Sequence, residues 1–246
     1  MNRRYLTALS GVLYTICALC AVSTLGCLFG LIKAAHTVNV LLVLLALLSG
    51  YFASLFVCAR AEEEDRKKAI MCKTVLAAFL LYLVVLIDFT LIDGGFGRNI
   101  FNILGWNDQS FSQYLKTNTN LIPFQTIHLF ISGYRNGYLP LIAMLENIFG
   151  NLLAFTPFAF FLPALFPKMR RGRALFLAVL CVVVAVELLQ FIFLTGSTDL
   201  DDVILNTLGA MLAFRFFTLG RVSGWLTKAT FGVWNYQKKK GGEKDG

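Results

Sequence analysis

Six apolar blocks follow one another along the chain, at about 7–32, 38–59, 69–92, 147–166, 174–195 and 203–219. Each is close to the twenty residues that cross ~30 Å of hydrocarbon at ~1.5 Å rise per residue, so the pattern predicts six transmembrane helices. A charged hinge at 60–68, Arg-Ala-Glu-Glu-Glu-Asp-Arg-Lys-Lys, separates the second block from the third. A mixed segment of some fifty residues, 93–146, separates the third from the fourth, and a basic tail follows the sixth with Lys238, Lys239 and Lys240. The opening Met-Asn-Arg-Arg-Tyr-Leu precedes an apolar block too long for a signal-peptide core and without a clear small-x-small cleavage site, so a retained first helix is expected.

Composition agrees. The chain is 57% hydrophobic and 15% charged, against roughly 25% charged residues in soluble domains, and its mean hydropathy is +0.70. The net charge of +8 lies in short clusters between apolar blocks, which is a topology signal and not a phosphate-binding stripe. Nucleic acid is thereby excluded as a partner. One set of connections (Arg3 and Arg4, the hinge to Lys73, Lys168 to Arg173, the tail) carries about seventeen Lys and Arg. The other set carries four: Lys33, Arg98, Lys116 and Arg135. The clusters alternate across six crossings, so both termini are expected in the cytoplasm. The six cysteines (Cys17, Cys20, Cys27, Cys58, Cys72, Cys181) all sit in or beside apolar blocks, which argues against a disulfide framework. Cys17 and Cys20 read as small packing residues.

Placed on this topology, the intramembrane polar residues converge. Asn147 and Asn151 fall in the outer turns of the fourth helix and share a face. Glu187 and Gln190 lie in the last third of the fifth. The external loop 196–202 ends in Asp199, Asp201 and Asp202, and Asn206 follows one turn later. Such groups are costly in lipid and usually face a cavity or one another. The acids could equally cap the sixth helix at its positive end, and the asparagines could be interhelical hydrogen-bond glue. Pro157 and Pro163 are expected to kink the fourth helix, and Gly150 and Gly209 to allow close packing. In the long segment, Asn120-Leu-Ile-Pro-Phe-Gln-Thr-Ile127 holds Pro123 in an extended turn before a short helix expected at the interface. His128 reads as a bystander. Two His and no external Cys argue against zinc. Glu187, Asp199, Asp201 and Asp202 could instead share Mg²⁺ or Ca²⁺, since no Lys or Arg is evident beside them.

Four motifs together resemble the VanZ-like family. They are Asn120-Leu-Ile-Pro123-Phe124-x-Thr126-Ile127, Asn147-Ile-x-Gly-Asn151 with Pro157-Phe and Leu162-Pro163, Glu187-x-x-Gln190, and Asp199-x-Asp201-Asp202-x-Ile-Leu-Asn206-Thr-Leu-Gly209. The family is named for a membrane protein of glycopeptide-resistance clusters that lowers susceptibility to teicoplanin. The resemblance implies an all-α helical bundle with a core at 69–220, two added N-terminal helices at 1–68 and a cytoplasmic tail at 221–246. Ala159 stands where a Gly commonly follows Pro-Phe. Ser197 and Thr198 stand where many relatives carry an Arg before the acids.

The resemblance points to a protein of the bacterial cytoplasmic membrane that engages membrane lipids, with a lipoglycopeptide or a lipid-linked cell-wall precursor as ligand at the outer leaflet. Two alternatives remain open. One is a metal-assisted enzyme acting on a lipid-linked phosphate, although no nucleophile–His pair is evident. The other is a small proton-coupled transporter using Glu187, although no internal repeat is evident. Asp202 and Glu187 are expected to matter most, and Asp199, at the loop edge, less.

Overall fold

The computed structural model describes residues 3–28, 36–92, 98 and 100–236. Lys33 and Lys238 to Lys240 lie outside the described residues, as do the side chains of Arg3 and Cys27. The chain is an all-α membrane protein. Five of its described helical stretches are long and apolar enough to cross a membrane, and a sixth is counted if Leu200–Phe217 is taken with Gly220–Ala229, bent from it by 83°.

In chain order the helices are α1 (Arg3–Leu28), α2 (His36–Cys58) and α3 (Glu64–Ile87), the last continued by a π turn at Asp88–Ile92. A 3₁₀ turn at Ile100–Gly105 leads to α4 (Asp108–Thr117), β1 (Thr119–Asn120) and α5 (Gln125–Arg135). Then come α6 (Leu141–Ala154), α7 (Phe158–Leu165), a 3₁₀ turn at Pro167–Arg170, α8 (Gly172–Phe193), β2 (Thr198–Asp199), α9 (Leu200–Phe217) and α10 (Gly220–Ala229). Two compact units result, Met1–Val84 with Gly224–Asn235, and Val85–Ser223 with Tyr236–Gly246.

In the first unit α1 packs along α2, with Cys17 Sγ 3.0 Å from where a side chain on Gly50 would begin. Tyr14, Ser54 and Thr74 tie α1, α2 and α3 through hydroxyls, at 3.0 and 2.6 Å. The Arg60 guanidinium, at the end of α2, donates to Thr7 and Ser10 of α1. Cys17, Cys20, Cys58, Cys72 and Cys181 are free thiols.

The second unit holds the candidate residues. The fourth span opens at Leu141, six residues before its expected start, because Pro140 stands at the N-cap position where its missing N–H costs nothing. It breaks between α6 and α7 at Pro157, which cannot donate into the ladder. Pro163 stays inside α7. The long segment forms α4, entered through a reciprocal capping box between Asn107 and Ser110, and then the short α5. Gly209 and Gly150 behave differently from one another. Gly209 brings α9 against the backbone of Leu152 in α6, as expected, but Gly150 has nothing within 4 Å of where its side chain would start. Gly150 lines an open groove, so it is no close-packing residue.

Candidate functional site

The site begins with a pairing across the chain. β1 and β2 lie parallel, Thr119 opposite Thr198 and Asn120 opposite Asp199. Asn118 extends the join at its N-terminal end, its carbonyl accepting from Thr198 N at 2.8 Å and its side-chain amide donating to Gly196 O at 3.0 Å. Tyr114 of α4 reaches the same loop, its hydroxyl 3.1 Å from Thr198 Oγ1. Burial of this phenol pushes its pKa up, away from the ionised form.

The acids then take separate tasks. Asp199 caps α9, accepting from Asp201 N at 2.8 Å, and its other oxygen accepts from Thr126 Oγ1. Asp199 N donates to Glu187 Oε2 at 3.0 Å, binding the start of α9 to α8. The residue expected at the loop edge is thus only 5% exposed, because it is both cap and anchor. Asp201 is fully buried and caps a different helix. It accepts from Phe124 N and, at 3.0 Å, from Ile127 N, the free N–H groups at the start of α5. Phe124, the N-cap of α5, has no side-chain oxygen to offer and sits in the left-handed region at φ 64°, so Asp201 supplies the missing acceptor.

Glu187, Gln190, Asn151, Asp202 and Asn206 instead surround one small chamber of about 10 Å³, room for one water. Asn151 Nδ2 donates to Asp202 Oδ1, Asn206 Nδ2 to Asp202 O at 2.8 Å, and Gln190 Nε2 to Thr90 O at 2.8 Å. Beside the chamber lies a groove of about 420 Å³ between α5, α6 and the 196–202 loop, lined by Asn147, Asn151, Gly150, Glu146, Phe130 and Ser197 among others. Asp202, Asn151, Phe89 and Arg98 line both spaces. Asn120 and Thr126 belong to the anchor around Asp199. Pro123 and Phe124 form the exposed turn above it.

Arg98 is the residue sequence reasoning missed. Its guanidinium donates to Phe89 O, lies 4.8 Å from the Phe89 ring centre, and acts electrostatically on both Glu187 and Asp202. It also packs over Gly196, which lies at φ +65°. The acids are therefore not without a cation. The signal was present, since Arg98 is the first Lys or Arg after Lys73 and sits at the outer end of a span. Nor do the four acids form a set that fits Mg²⁺ or Ca²⁺. Asp199 and Asp201 are committed to protein donors, and among the described residues no three His, Cys, Asp or Glu side chains gather as metal ligands.

Comparison with known proteins covers this same region. The family described as VanZ/LLP1 matches residues 79–221, which include every candidate residue above. Protein VanZ of Enterococcus faecium is 29% identical over 150 residues, covering 61% of this chain and 75% of that protein. No solved structure matches. With more than half of its length matched, the chain belongs to the VanZ/LLP1 family.

Proposed function

We propose that this protein lowers bacterial susceptibility to teicoplanin and related lipoglycopeptides from the cytoplasmic membrane, by engaging an envelope lipid or the antibiotic at the outer leaflet. The observation behind this reading is the groove with its polar chamber, built from Arg98, Asn147, Asn151, Glu187, Gln190, Asp202 and Asn206 inside the family-matched region. Buried amides and carboxylates are expensive at membrane depth and mark working sites. The anchor of Asp199 and Asp201 on residues 120–127 serves to hold the groove's rim in place. The charge alternation supports an external position for the 120–127 turn and the 196–202 loop, at the outer leaflet.

The test is expression in a teicoplanin-sensitive Gram-positive host, with the inhibitory concentration measured against that of an empty vector. The protein should raise it several-fold. Glu187→Gln and Asp202→Asn each keep an oxygen for Asp199 N or Asn151, so both variants should insert and fold yet lose protection. Full protection by the well-expressed double variant would overturn the proposal.

A further inference from the structure

The chamber's unmet hydrogen-bonding capacity has one sign. Gln190 and Asn206 are 4% and 5% exposed, and Gln190 Oε1 and Asn206 Oδ1 lack a partner within the protein. The buried end of the Asn147 amide in the groove has no partner within the protein either. The two inner amides cannot be turned round. Each points its N–H₂ at a backbone carbonyl, Thr90 O or Asp202 O, and a flip would set oxygen against oxygen. The chamber is also lined by the carboxylates of Glu187 and Asp202. A buried acceptor left without a donor is costly, so the occupant must bring donors.

That requirement disfavours an anion as the group seated here, and a bare cation fits little better. The unmet acceptors are neutral amides, the acids do not gather into one ligand set, and Arg98 already stands beside Glu187 and Asp202. Neutral hydroxyls answer all three facts, because each can donate while the molecule carries no charge. Phe89, Phe130, Ala143 and Gly150 supply apolar wall for the C–H faces of a sugar ring. The groove volume of about 420 Å³ lies within the range of small-molecule sites. The water-sized chamber behind it can hold a bridging water between a ligand hydroxyl and Gln190 or Asn206.

We infer that the groove takes a hydroxyl-rich, glycosyl-type headgroup, carried by an envelope lipid or by the antibiotic itself. This rests on the reading that the groove is the working site, and it names the chemistry of what binds there.

The full chain, purified in a detergent without sugar headgroups, would be exposed to mixed vesicles of diglucosyl diacylglycerol and phosphatidylglycerol with identical acyl chains. Co-purified lipid would then be counted by mass spectrometry. In a second arm, binding of teicoplanin would be compared with that of its sugar-free aglycone. Enrichment of the glucolipid by about fivefold or more identifies a lipid source; preference for the glycosylated antibiotic identifies the drug. Either supports the inference, provided that Asn147→Leu, in a half-buried position, and Asn206→Leu each cut that preference at least threefold while melting normally. No preference in either arm, or a preference unchanged in both folded variants, overturns it. Protection that persists in cells without any glycosyl preference removes this inference alone, whereas glycosyl binding without protection removes the functional proposal and leaves this one standing.

Discussion

Gly209 of α9 and Leu152 of α6 meet backbone to backbone. A methyl group on Gly209 would fall 1.7 Å from Leu152 O and 2.7 Å from its carbonyl carbon. Neither atom can swing aside as a side chain would, so Gly209→Ala must push the two helices apart and should cost about 1–3 kcal/mol. Gly150→Ala, three positions along the face from Asn147, meets nothing and should stabilise α6 by up to ~1 kcal/mol through helix propensity alone. Thermal unfolding of the two variants in detergent should move in opposite directions.

Asp201→Ala should be among the most destabilising single changes outside the apolar packing. It strips the acceptor from two part-buried N–H groups, Phe124 and Ile127, and a hydrogen bond to a carboxylate contributes about 1.5–3 kcal/mol. A loss near 3 kcal/mol is expected, with faster proteolysis between residues 118 and 127. An unchanged cleavage rate there would show that the turn holds itself.

Much of this was legible in the sequence and some was not. The apolar blocks marked the spans because their length is dictated by the bilayer, and Pro157 marked the break because a proline cannot donate. Glu187, Gln190, Asn151, Asp202 and Asn206 could be placed at one depth by counting helical turns. The role of Asp201 could not be, because a helix cap supplied from 77 residues away leaves no local pattern; only Asp199 obeys the short-range capping rule. The two-residue pairing of β1 with β2 is too short for any alternation to show. Arg98 was passed over because its position beside the acids depends on packing across α8 and α9, which charge counting ignores. Gly150 and Gly209 look alike in sequence, and only the facing surface tells them apart.

Arg98 and Glu187 should be coupled. Removing the guanidinium with Arg98→Gln leaves two carboxylates facing each other across the chamber and should destabilise the protein by about 2 kcal/mol. In the Arg98→Gln, Glu187→Gln double variant the second change should cancel part of the first, with a coupling energy of about 1 kcal/mol. Strict additivity would show that the two groups do not interact.

Topology is open to direct labelling. In a background without native cysteines, single cysteines at Ser110 and Ser197 should react with an impermeant thiol reagent on intact cells. One at Gly242 should react only after permeabilisation. The reverse pattern would invert the orientation drawn from the charge clusters.

The join of residues 118–127 to 196–201 also has a consequence for biogenesis. When α5 has been synthesised, its capping acceptor Asp201 is still more than sixty residues from being made. The turn at Phe124 must wait, its N–H groups unpaired, until α8 and the start of α9 have followed. Closing so long a loop is entropically costly and comes late. The groove is therefore among the last parts of this unit to form, and a ribosome that stalls before residue 201 leaves a chain with its spans up to α8 in place and no site.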